Sequence, residues 1–181
     1  MERTWSCLDC RFENAEPICF TAGGTFDPQR LARAFLKIKT TSVTRDEVGD
    51  DSSHAFDCID EMVQEAPGMA VVFLLAALDV CETVEQVAVL GAGPLENLLK
   101  AHGIVVIGDL EREARKHAKV RYLLSSTWGQ SNIDPGVWDR LVIAVAPGLV
   151  MDGDGRTPGV GLYDKILDAA GVAALLSKPM T

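Results

Sequence analysis

Apolar residues recur through the middle of this chain at intervals of three and four, the spacing of one helical face, and no stretch alternates with a period of two. The reading is therefore all-α. Asp27 followed by Pro28 marks a helix start, because the carboxylate serves free N–H groups and proline loses nothing at the first helical position. Leu31, Ala34, Phe35 and Ile38 then share one face. A polar stretch over 40–51 reads as a loop. Ser52 or Ser53 caps a second helix with Ala55, Ile59, Met62, Val63 and Ala66 inside and Asp57, Asp60, Glu61, Gln64 and Glu65 outside. Pro67-Gly68 ends it. The run over 69–81 is apolar all round and predicts a buried helix. Thr83 caps the next helix, with Glu85 and Gln86 near its positive end.

The segment 90–103, LGAGPLENLLKAHG, is the most heavily punctuated. Gly91 and Gly93 read as a helix stop, since glycine enters left-handed backbone without a Cβ clash. Pro94 reads as the next start, followed by the stripe Leu95, Leu98, Leu99 and His102, with Gly103 as the terminating residue. Glu96 falls where a carboxylate serves the helix start, and His102 where a side chain bonds the last carbonyls of its own helix. Further helices are expected over 104–118 (Ile107, Leu110, Ala114), 120–128, from Asp134-Pro135 onward (Trp138, Leu141, Val142, Val145) and over 162–176. Loops are expected at 129–136 and at the glycine-rich 147–161. This rhythm predicts a short helical stack, either an armadillo- or HEAT-like solenoid or an irregular bundle, with no sequence-level repeat. The divisions are an irregular cysteine-bearing segment 1–27, a helical domain 28–146, and a loop plus helix 147–181 packed on that domain.

From about 31 to 145 the chain resembles an uncharacterised bacterial family, a domain of unknown function. The residues that carry the resemblance are Gly91-Ala92-Gly93-Pro94-Leu95-Glu96-Asn97-Leu98-Leu99-Lys100-Ala101-His102-Gly103, then Ile107, Leu110, Glu111, Ala114 and Arg115, then Trp128, then Val137-Trp138-Asp139-Arg140-Leu141. Gly91 stands where that pattern usually has alanine. The resemblance implies an all-α domain and no particular activity. Gly93, Pro94, Glu96 and His102 are accordingly read as architecture.

Composition narrows the function classes. The 181 residues are 48% hydrophobic and 24% charged, which is ordinary globular composition, and 26 acids against 17 bases give a net charge of −9. That balance disfavours nucleic acid. No apolar run approaches the roughly 20 residues of a membrane helix. Neither a nucleic acid nor a membrane is expected as a partner. The first ten residues, MERTWSCLDC, carry no basic-then-apolar signal, and five cysteines are an odd number, so free thiols in the cytoplasm are expected.

Chemistry is sparse. Cys7 and Cys10 form a C-x-x-C with Cys19 beyond, which is three quarters of a zinc set. Completion would need His54 or Cys58, so no cofactor is expected and zinc stays an alternative. Asp152 and Asp154 resemble the start of a calcium loop, but Arg156, Thr157 and Tyr163 occupy positions that need a ligand, a glycine and a glutamate. Arg112, Arg115, Lys116, His117, Lys119 and Arg121 read as a solvated face, with Arg115 one turn from Glu111. The acidic face Asp57, Asp60, Glu61 and Glu65, close to Asp46, Glu47, Asp50 and Asp51, is the most suggestive charge feature, because it would dock a basic protein. We therefore expect a non-enzymatic protein-binding domain of immunity or adaptor type. The alternative is a metal-dependent or thiol enzyme built on the N-terminal cysteines and a histidine.

Overall fold

The structure, a computed structural model, describes residues 19–21, 24–40, 50–145 and 169–180. It is all-α. Among the described residues there is no strand, only an isolated bridge between Phe20 and Phe26. The helices are α1 (Pro28–Thr40), α2 (Asp50–Glu65), α3 (Pro67–Val80), α4 (Val84–Leu90), α5 (Glu96–Lys116), α6 (Ala118–Ser125), α7 (Pro135–Val145) and α8 (Ala169–Leu176). A π-helical turn, Gly91–Leu95, joins α4 to α5. None of the described helices is long and apolar enough to cross a membrane.

The apolar helix α3 is the axis of the fold. Ala70, Val71, Phe73, Leu74, Ala77 and Leu78 are all buried, and each large side chain among them contributes about 1.5–3 kcal/mol by leaving water. It packs along α1, α2, α5 and α6. A solenoid repeat touches only its neighbours, so this arrangement is an irregular bundle. Cys19 and Phe20 near the N-terminus, and Val172 and Leu176 of α8, belong to the same core.

Local capping follows the sequence closely. Asp27 accepts from the Arg30 amide at 3.0 Å, and Asp134 from the Val137 amide at 3.1 Å. Thr83 and Gln86 form a reciprocal capping box. Each such cap is worth about 1 kcal/mol.

The 90–103 segment departs from expectation. Gly91 is right-handed helical (φ −69°, ψ −50°), and the chain does not stop there. Pro94 lies inside the π-turn, not at a fresh helix start. Proline cannot donate to the carbonyl four residues back, and its ring collides with it. The wider turn relieves that collision, and the Glu96 amide donates back to the Gly91 carbonyl. The expected stop at Gly103 is also absent, and one helix runs Glu96–Lys116. A kink at His102 (φ −136°, ψ 20°) is its only non-helical residue. Gly103 has a packing role, since a Cβ there would lie 2.9 Å from Val137 Cγ1.

Candidate binding groove beside the π-turn

Several residues of the punctuated motif make contacts within the fold. A Cβ on Gly91 would fall 2.0 Å from Ser126 Oγ and 2.9 Å from the Ser126 carbonyl, so glycine there lets the chain after α6 lie against the π-turn. Glu96 pairs with Lys100 at 2.5 Å. Its carboxylate also sits where a Cβ on Gly129 would be, 2.7 Å away, and Gly129 has a positive φ of 79° that only glycine adopts freely. His102 does not cap its own helix. Its Nε2 lies 2.8 Å from the Gln64 carbonyl at the end of α2. A carbonyl only accepts, so Nε2 carries the proton. Glu111 pairs bidentately with Arg140 of α7, at 2.8 and 2.7 Å, and not with Arg115. That pairing holds the Glu111 carboxyl below the usual range through the Arg140 hydrogen bonds.

The basic stretch is not a uniform solvated face. Arg121 donates to the Ala114 carbonyl that ends α5. Lys119 is only 3% exposed. Burial lowers its pKa, while the charges of Asp79 and Cys81 act the other way. Burial likewise pushes the Cys81 thiol up to about 12, against the opposing pull of Lys119. Cys19 is buried too, away from solvent. Among the described residues no three His, Cys, Asp or Glu side chains cluster as metal ligands. Cys7, Cys10 and the glycine-rich loop with Asp152 and Asp154 lie outside the described residues.

Ala92 and Asn97 of the motif are exposed and Gly93 is half-buried. Together with Pro94 they line a groove of about 230 Å³. Its other walls are Phe35 of α1, Phe56, Ile59 and Asp60 of α2, and Val89 of α4. Phe35 and Phe56 stack with centroids 5.9 Å apart and planes 27° apart, and Phe56 keeps 37% of its surface exposed. Gly93 has neither a positive φ nor, beyond its own helix and chain neighbours, an atom within 4 Å of a notional Cβ, so no tertiary contact requires glycine there. Glycine inside a helix costs about 1 kcal/mol relative to alanine. Its visible consequence is a deeper groove.

Asp60 is the one carboxylate among the described residues that line this groove, and Asp46 and Glu47 lie outside the described residues. Partial burial raises its pKa, and repulsion from Asp57 raises it further. Of the expected acidic residues, Asp57, Asp60 and Glu65 are exposed on α2 and Glu61 is half-buried. Only Asp60 reaches the groove. The apolar part, Phe35 and Phe56, was missed from sequence because Phe35 reads as core and Phe56 stands one place off the inner stripe of α2.

A family model described as a family of unknown function (DUF6869) matches residues 43–147. The chain belongs to this family. No curated protein and no solved structure matches it. The matched span contains every groove residue except Phe35. A second cavity, of about 740 Å³, differs in this respect. Arg33, Leu36 and Lys37 on one side and Ala173, Leu176 and Ser177 on the other lie outside the matched span. A function carried by the family domain therefore points to the groove beside the π-turn.

Proposed function

We propose that this chain is a non-enzymatic, cytoplasmic protein-binding domain of immunity or adaptor type, which docks a basic protein surface on the outer face of α2 and the groove beside it. The observation that carries the reading is the double membership of Asp60. It belongs to the acidic helix face and also lines an apolar groove. Apolar walls with a few convergent polar groups are the usual composition of a binding site. Partial burial and, after it, repulsion from Asp57 raise the pKa of Asp60, and a cationic partner relieves that repulsion. The net charge of −9 adds long-range attraction for a basic surface.

The test is affinity capture from the native host at low and high salt, with wild type beside a chain carrying Asp57→Lys, Glu61→Lys and Glu65→Lys. The expected result is one basic protein held by wild type, released by salt and lost in the variant. A partner captured equally by both chains, or held equally at high salt, overturns the reading.

A further inference from the structure

The groove has the make-up of a receptor for one cationic side chain. It is too small for a folded element, and its volume of about 230 Å³ suits a single long side chain. Its apolar surface comes from Phe56, Val89 and Pro94, which would cover an alkyl stem. The exposed, stacked Phe56 ring offers a face to a cation. Two polar side chains line it, Asp60 and Asn97, and neither makes a side-chain hydrogen bond to a described residue. A carboxylate that accepts two bonds and an amide oxygen that accepts a third match a planar fork of five N–H donors better than a compact ammonium.

We propose that this groove binds an arginine side chain presented by a partner protein, with the stem along Phe56 and Pro94, the guanidinium on the Asp60 carboxylate, and Gly93 leaving the space the stem occupies. This rests on the protein-binding reading and sharpens it from a basic surface to one anchoring residue. The larger cavity near Asp79 and Cys81 does not compete for this role, because Arg33 and Lys37 on its walls already balance the carboxylates of Asp79 and Glu82 there.

Three blocked alanine-flanked peptides test the assignment, one with a central arginine, one with lysine and one with citrulline, the neutral isostere of arginine. Each is titrated into the ¹⁵N-labelled full chain and read by amide chemical shifts. The arginine peptide is expected to shift residues of 56–60 and 92–97 saturably in the millimolar range, with lysine weaker and citrulline silent. Asp60→Asn should weaken arginine binding by about tenfold or more, the loss of a charge-assisted bond. Gly93→Ala should weaken it while leaving the melting temperature equal or higher, which separates a filled groove from a damaged fold. Equal shifts with citrulline, equal affinity for lysine, or shifts confined to other parts of the chain overturn the proposal. The charge-reversal capture experiment does not touch groove residues. If salt-sensitive capture persists while the arginine peptide fails, the anchor assignment alone falls.

Discussion

Gly91 and Gly93 stand two residues apart in the same π-turn, yet alanine at the two positions should have opposite effects. At Gly91 a methyl group meets Ser126 Oγ at 2.0 Å and the Ser126 carbonyl at 2.9 Å. Rotating the serine side chain away removes only the first contact, because the second is backbone. The strain belongs at the upper end of overpacking costs, about 3 kcal/mol. The gain in helix propensity returns about 1 kcal/mol, so the net loss is roughly 2 kcal/mol. For a chain of this size each kcal/mol moves the melting temperature by about 2–4 °C, so Gly91→Ala should melt roughly 4–8 °C lower. At Gly93 no atom beyond its own helix and chain neighbours lies within 4 Å of a notional Cβ, and the backbone is not left-handed. The tertiary surroundings leave the entropic term, about 0.5–1 kcal/mol in favour of alanine, less the crowding of its Cβ by the Pro94 ring, so Gly93→Ala should melt no lower than wild type and at most roughly 1–4 °C higher. Thermal unfolding followed by far-ultraviolet circular dichroism reads both. Adding Ser126→Gly to Gly91→Ala removes the hydroxyl and Cβ contacts and should recover part of the loss. If Gly91→Ala melts at or above wild type, the close approach to Ser126 is not a constraint. If Gly93→Ala loses stability, glycine there serves the π-turn and the argument for an open groove fails with it.

His102→Ala removes the donor to the Gln64 carbonyl and should cost about 1 kcal/mol. Faster amide exchange at the end of α2 than at the end of α7 would localise the loss, and uniform acceleration would contradict it. The Glu111–Arg140 pair should make an acid-dependent contribution. The folded carboxyl is held below its ordinary value of 4.5, so the pair's stabilisation is fully present above that value and is lost as pH falls through the lowered folded value. Glu111→Gln should therefore show a shallower acid decline in melting temperature than wild type, and added salt should shrink the difference because the pair is at the surface. An unchanged decline refutes the pairing. Cys81, with its thiol pushed up to about 12 and only 2% of its surface exposed, should resist iodoacetamide at pH 8 in the folded chain and react once the chain is denatured. Peptide mapping checks this, and rapid native labelling at Cys81 would show that the end of α3 opens.

What could be read from the sequence was whatever is decided within a few residues. The caps at Asp27, Thr83 and Asp134 need only a side chain and an amide three residues on. The buried character of α3 needs only its unbroken apolar run. The misread positions are those whose reason lies elsewhere in the chain. Gly91 is explained by Ser126, Gly103 by Val137, and His102 by a carbonyl 38 residues earlier. Local chemistry allowed a stop at each, and tertiary contacts selected continuation. Lys119 shows the same limit, since its charge pattern says surface and its packing leaves it 3% exposed. The groove was half legible. Helical periodicity placed Asp60 on an outer face, but the pairing of Phe35 with Phe56 depends on how α1 lies across α2.

The π-turn also fixes how this segment can change in length. Its ring closes five residues back, from the Glu96 amide to the Gly91 carbonyl, where an α-turn closes four back, so it holds one residue more than the surrounding helix. The buried positions run through it from Val87 and Leu90 by way of Gly91 and Pro94 to Leu95, Leu98 and Leu99. Deleting one residue between 91 and 93 would let the rod close into ordinary helix with its two flanks near their present phase, because the wide turn is what absorbs the extra residue. Pro94 would then face the carbonyl that the wide turn lets it avoid. The proline and the extra residue therefore persist or disappear as a unit. Within the family, a relative one residue shorter here should also lack the proline.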